Sequence, residues 1–417
     1  SDDANTLYFL LFVGISSVVL SSFVLSVMTK IPAALIQFTI LFNIFTSIAV
    51  VIGCVAMGYD APATGALVVF ALGCCYAWVV WDRIPLAACN LKTGLTAVRT
   101  NIGVSLVSII MAIVSWAYAF GWFLALFGTL DQLQKKATCN EGDEDCSSDY
   151  KAPVISLFIL CFLWTQQVVT NVVRVTIAGV VGTWWFVPED ASSVCSRSIF
   201  DSFSRATTTS FGSICFGSLV VGVVQLLHQL VSVRRRDGQD DSILLCILEC
   251  FLSLLDSLVE YFNKWAFIYV GLYGYPYLEA GQKVMTLFRD RGWFAIVNDN
   301  LVSRVLIWMV VVLGCLNGLV GVVLVKIYPS LLSVYGGDHT AWIAFLFGCV
   351  IGSMLAAILM SLVASAVDTV VVCFAEAPTS FRTNYPSLSQ EMEEAWTTVM
   401  PARTQGTGPE MPEITQV

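Results

Sequence analysis

Gln167, Thr170, Asn171 and Arg174 stand three and four residues apart, so on a helix they share one face. Arg174 is the only charged residue in the stretch 152–188. An ionisable group at such a place costs energy and marks either a pathway or a structural pin. From the residues alone, hydrogen-bond glue and pathway lining fit this stripe equally well. Trp164 lies three residues before Gln167 on the same side, and Trp184 and Trp185 close the segment. Aromatic faces attract quaternary ammonium groups. Trp164, Trp184 and Trp185 are therefore candidate aromatic walls, and Gln167 and Asn171 are candidate polar contacts beside them. Arg174 opposes direct contact with a cation at its own level, because like charges repel, and is expected to pair with an acid and gate. Glu279 and Asp368 are the candidates for countercharge or ion coupling. Snorkelling to the interface is the structural alternative for Asp368.

Other chemistry is missing from the sequence. The two histidines, His228 and His339, have no metal-ligand spacing to Cys, Asp or each other. No nucleophile–base pair and no phosphate-cradling glycine loop occurs. No catalytic residue, metal or cofactor is expected. With 21 Lys and Arg against 30 Asp and Glu, the net charge is −9, so a basic footprint for nucleic acid is absent.

The elements that hold these residues follow from where charge is lacking. The 417 residues are 57% hydrophobic and 12% charged, against roughly 25% charged in soluble chains. Eight runs lack Asp, Glu, Lys and Arg: Leu7–Thr29, Ile31–Tyr59, Ala61–Trp81, Thr100–Leu130, Ala152–Val173, Ala206–Val233, Val305–Val325 and His339–Val367. Each is long enough to cross a bilayer, which takes about 20 apolar residues. The segment after Arg174 prolongs its run beyond one bilayer thickness, which predicts tilt or a break. Ile243–Asn263 is ambiguous: Glu249, Asp256 and Glu260 share one face of an otherwise apolar segment. An interfacial amphipathic helix and a protein-packed helix both fit. Trp265–Leu278, interrupted by Gly271, Gly274 and Pro276, reads as a discontinuous half-helix.

Small residues recur at four-residue spacing in Ser213/Gly217, Ser218/Gly222, Gly314/Gly318 and Gly348/Gly352, predicting close helix contacts. Arg83, Lys92 and Arg99 assign their loop to the cytosol, which puts Asp131–Lys151 outside. Cys139 and Cys146 in that loop suit a disulfide in an oxidising exterior. If every run crosses once, Arg197 and Arg205 fall inside but Arg234, Arg235 and Arg236 fall outside, so the parity of crossings stays open between residues 152 and 300.

Several segments together resemble one family. Arg83-Ile84-Pro85-Leu86-Ala87 is similar to the R-I-P-F-A stretch of choline transporter-like proteins. Ala178-Gly179 followed by Trp184-Trp185-Phe186 resembles the family's A-G and aromatic pair. Phe211 through Leu219 resembles its G-S-I-x-x-G-S-L run, the most specific block. Asn263-Lys264-Trp265-Ala266-Phe267-Ile268 resembles N-x-x-A-Y-I, and Val367-Asp368 through Glu376 resembles the ending V-D-x-x-F-x-C-x-A-x-D. Ala377 stands where an acid often follows, and His228 replaces a frequent basic position. The resemblance implies a helical membrane protein that moves choline, and ethanolamine, across membranes. It also implies a cytosolic tail and a first span upstream of Ser1, in keeping with the lack of an initiator Met.

The expected architecture is all-α, a polytopic transmembrane helix bundle of about nine to ten spans in the full protein. Residues 1–375 form the transport domain and 376–417 an acidic cytosolic tail. The expected partners are a choline-like cation and membrane lipids, in a multi-pass protein of the plasma membrane or an organelle. The rival functional classes are a non-transporting membrane organiser that interacts with lipid, and a channel.

Overall fold

A computed structural model describes residues 2–136, 151–191, 196–236, 243–291, 295–329, 331 and 340–399. The candidate disulfide pair Cys139 and Cys146, His339, and the end of the acidic tail lie outside the described residues. Among the described residues the chain is helical apart from short connections, with no strand. The α-helices are α1 (Asp2–Met28), α2 (Pro32–Ala56), α3 (Asp60–Val80), α4 (Ile84–Thr100), α5 (Gly103–Lys136), α6 (Lys151–Phe186) and α7 (Arg197–Thr207). They continue as α8 (Phe211–Arg236), α9 (Ile243–Tyr273), α10 (Tyr277–Arg291), α11 (Ala295–Ile327), α12 (Thr340–Glu376), α13 (Pro378–Asn384) and α14 (Pro386–Val399). Pro32 and Pro378 open their helices, where the missing N–H has no partner to lose. The turn before α3 runs through Gly58 at φ +75°, a backbone angle that favours glycine.

Among the described residues eight helical stretches are long and apolar enough to cross a membrane, and each contains most of one of the eight uncharged runs. Their outward faces are apolar, with Phe23, Phe45, Phe120 and Trp78 all exposed. Such surfaces are stable in hydrocarbon, which cannot satisfy polar groups. The fold is an all-α polytopic bundle. The run around Arg174 does not break: α6 is continuous from Lys151 to Phe186, about 54 Å at 1.5 Å per residue. Its excess length is taken up inside protein, since Asn171–Trp185 is largely buried.

The chain forms two compact units, α1–α4 with α11–α14 and α5–α10. In the first, α11 and α12 are antiparallel and approach to backbone contact. A Cβ on Gly348 would meet the Asn317 carbonyl oxygen at 2.7 Å, and one on Gly352 would meet Asn317 Cβ at 2.5 Å. Asn317, fully buried, donates to the carbonyls of Gly348 (3.1 Å) and Val13 (3.3 Å) and accepts from Ser16 Oγ. One amide thus ties α1, α11 and α12. The close contact predicted for Gly314/Gly318 and Gly348/Gly352 is present. Up to Val399 the residues after 375 are helical: α12 runs to Glu376, and α13 and α14 follow. The following α13 and α14 bury Phe381 and Met392, and Lys92 of α4 pairs with Glu391 at 2.6 Å.

In the second unit, α9 is one helix through Tyr273, and the break foreseen near Gly271–Pro276 falls after it, at Gly274 (φ +74°). Of the two readings left open for Ile243–Asn263, the structure bears out the protein-packed one. Glu249, Asp256 and Glu260 face α8 in antiparallel register: Glu249 meets Arg235 and Ser232, Asp256 lies 3.8 Å from His228, and Glu260 accepts from Gln225. Towards the other end, a Cβ on Gly217 of α8 would meet the Phe267 ring of α9 at 2.8 Å. The α9 helix therefore accompanies α8 along its whole apolar length. At 31 residues α9 is long enough for a further crossing, but its acids keep it out of the eight apolar spans. Glu249 neutralises Arg235, which lessens the weight of that arginine in the positive-inside rule.

Two predictions follow from this packing. Gly348→Ala is expected to lower the thermal midpoint in detergent by an amount equivalent to about 1–3 kcal/mol, the usual cost of overpacking. Gly121→Ala, which adds its methyl in open space, is expected to leave the midpoint unchanged. With α9 as a crossing helix, Arg234→Cys before it and Glu279→Cys after it should label with a membrane-impermeant maleimide from opposite sides; labelling of both from one side would remove α9 as a span.

Candidate functional site

Three apolar helices of the second unit carry matching polar stripes, and the fold lays them together. From α6 come Trp164, Gln167, Asn171 and Arg174; from α8, Ser218, Gln225, His228 and Ser232; from α9, Glu249, Asp256 and Glu260. Each stripe repeats at three, four or seven residues, so it stays on one face while the other faces remain apolar.

The α6 stripe separates into two parts with different chemistry. In the lower part, Arg174 Nη1 donates to Asn171 Oδ1 at 3.1 Å, and Asn171 Nδ2 donates to Ser218 Oγ at 3.0 Å. Asn171 is fully buried, and both ends of its amide are committed. It pins α6 to α8 and has little left to orient a substrate hydroxyl. In the upper part, Gln167 Nε2 donates to Gln225 Oε1 at 3.5 Å, and Gln225 Nε2 donates to Glu260 Oε1 at 3.1 Å. This relay ends on an exposed carboxylate. Trp164, one turn from Gln167, donates its indole N–H to the Cys215 carbonyl at 3.0 Å and packs over Gly222. The ring is half-buried and held in one orientation.

One turn beyond Glu260, Asp256 presents one oxygen to His228 while its Oδ1 is buried without a hydrogen-bond partner among the described residues. A buried carboxylate oxygen left in this state costs free energy until a donor or cation reaches it. Neither Asp256 nor Glu260 has a Lys or Arg partner among the described residues, whereas Glu249 has Arg235. The seam between the Arg174 and Arg235 levels is therefore net negative. It can accept a cation, hold its hydroxyl by amide groups, and offer one aromatic face.

The remaining candidates do not join this group. Trp184 and Trp185 are on α6 but twenty residues from Trp164, about 30 Å along the helix, and both are fully buried. One box cannot contain all three tryptophans. Glu279 sits on the surface of α10, paired with Lys283 at 3.5 Å. Asp368 belongs to the other unit, on α12, and is buried (7% exposed) rather than snorkelling outward. Gln166, in the same sequence stretch, bonds Ser115 of α5.

The sequence reading missed Gln225, His228, Asp256 and Glu260 as site residues. The signal was present as two stripes of the same period on consecutive helices, Gln225/His228/Ser232 and Glu249/Asp256/Glu260. Joined by the loop between them, the stripes can only meet in antiparallel order.

Comparison with known proteins agrees with this architecture. A family model described as plasma-membrane choline transporter matches residues 64–379. Protein PNS1 of Eremothecium gossypii is 30% identical over 336 residues, covering 78% of this chain and 60% of its own length. Protein pns1 of Aspergillus fumigatus is 31% identical over 80% of this chain and 63% of its own length. Protein PNS1 of Saccharomyces cerevisiae is 27% identical over 95% and 75%. The chain thus spans about three-fifths of the length of the first two relatives. The match takes in most of α3 and all of α4 through α12, including every helix of the polar seam, and the chain belongs to the choline transporter-like family.

Proposed function

We propose that the protein is a membrane transporter for choline or a closely related amine cation, and that the seam of α6, α8 and α9 binds it. The single observation that carries this reading is the relay Gln167–Gln225–Glu260 with Trp164 one turn away. A quaternary ammonium cannot donate a hydrogen bond, so it is held by carboxylate charge and an aromatic face. Glu260 supplies the charge, Trp164 the face, and Gln167 or Gln225 meets the hydroxyl. Asp256 and His228, next along the seam, serve ion coupling, and Arg174 sets the inner limit of cation entry. Membership of a family described by its plasma-membrane choline transporters supports both the substrate class and the plasma membrane as its location.

Radiolabelled choline uptake into proteoliposomes tests this. Glu260→Gln is expected to lower kcat/KM by about 10–100-fold, the range of one lost charge-assisted contact of roughly 1.5–3 kcal/mol. Trp164→Ala should raise KM, and Glu279→Gln should behave like wild type. Absence of saturable uptake, or wild-type uptake by both Glu260→Gln and Trp164→Ala, defeats the proposal.

A further inference from the structure

A second polar feature lies in the other unit and has the opposite charge. The α2 stripe Thr39, Asn43 and Ser47, Tyr76 of α3 and Arg304 of α11 line a cavity of about 440 Å³. Among the described residues the only charged lining residue is Arg304, whose guanidinium carbon stands 4.3 Å from the Tyr76 ring centroid. Stacking of this kind leaves the edge N–H groups of the guanidinium free to donate in the ring plane. No carboxylate pairs with Arg304 among the described residues. The Tyr76 hydroxyl is buried with no hydrogen-bond partner among the described residues. Thr39 and Ser47 donate to carbonyls of their own helix, and Asn43 spends one N–H on the Thr39 carbonyl. The donors left for a ligand are therefore Arg304, Tyr76 and the second N–H of Asn43. A choline-like cation is repelled here; an oxyanion is attracted.

The position of the cavity narrows the oxyanion. Arg304 begins the apolar part of α11, and Tyr76 lies one turn before the end of α3. In the same unit Lys30, Arg83 and Arg99 lie beside those helix ends, with Arg99 donating to Thr29, so the positive-inside rule makes this the cytosolic leaflet. Two lining residues, Val69 and Leu72, are 60% and 64% exposed on the face of α3. The cavity thus opens onto a wall that matches acyl chains, at the depth of a headgroup. Basic pockets between helices on the cytoplasmic side suit anionic lipid phosphates. We propose that this cavity binds the phosphate of an anionic phospholipid of the cytosolic leaflet. Arg304 and Tyr76 donate to the phosphate, and an acyl chain lies along Val69 and Leu72.

Native mass spectrometry of the full chain in detergent tests the proposal with three probes: phosphatidylglycerol, diacylglycerol and inorganic phosphate. The expected result is one saturable phosphatidylglycerol adduct, weakened about tenfold by Arg304→Gln, the scale of a lost contact to a charged group. Arg304→Lys should keep most of the binding, and Tyr76→Phe, which deletes only a hydroxyl, should lose several-fold. Should Arg304→Gln fail to fold, Tyr76→Phe and the cavity-filling Ser47→Leu carry the test. Wild-type retention of phosphatidylglycerol by the folded variants overturns the site. Equal retention of diacylglycerol overturns phosphate recognition. Saturable binding of inorganic phosphate with the same Arg304 dependence overturns the lipid as ligand and makes the site one for a soluble phosphate.

Discussion

Hydrocarbon cannot accept or donate a hydrogen bond, and that one deficiency organises the polar interior of this protein. Short hydroxyls at depth can use carbonyls of their own helix, whereas amides and carboxylates need partners on another helix, so a stripe that carries them selects its neighbour. Asn317 is satisfied only where α1, α11 and α12 converge. The acids of α9 are satisfied only in register with Gln225, His228, Ser232 and Arg235 of α8. Glycines at the closest points let the backbones come near enough for these bonds to form. Polar pairing and small-residue packing are thus two requirements of the same contacts.

The two units make different use of the residual polarity. Around α8 the carboxylates outnumber the cations that answer them, and Asp256 retains an oxygen without a partner. Around α2 the arginine is, among the described residues, the one lining charge and has no carboxylate partner. The Arg174–Asn171–Ser218 chain represents a third case, in which the donors and acceptors of Asn171 are consumed in holding α6 on α8. Unspent capacity, rather than polarity as such, separates a binding group from a structural one.

Much of this was legible from the residues. Long uncharged runs mark the apolar bodies of eight helices, because no other structure tolerates so much apolar surface, while charged ends such as those of α6, α11 and α12 extend beyond the runs. The Gly314/Gly318 and Gly348/Gly352 seams were legible for the same reason. Helix α9 was legible as a helix with its acids on one face but not in its placement, because the partners of those acids lie on a different helix. The aromatic box drawn from Trp164 to Trp185 fails on helix rise, a quantity that the spacing itself contains. Asp368 and Glu279 were chosen for their place along the chain, whereas exposure and pairing depend on which helices pack together. Residues after 375 read as a solvated tail by charge, yet Phe381 and Met392 bury themselves and Glu391 finds Lys92.

The antiparallel register of α8 and α9 also bears on how the protein is made. A helix carrying Glu249, Asp256 and Glu260 is disfavoured on its own in the bilayer centre, where each acid costs about 2.5–3.5 kcal/mol on insertion scales. Its predecessor carries the answering groups and emerges from the ribosome first. The pair is therefore suited to enter the membrane as a hairpin, with α8 acting as an internal escort that lowers the barrier for the helix behind it. Damage to the α8 stripe would then strike biogenesis before it struck the mature fold.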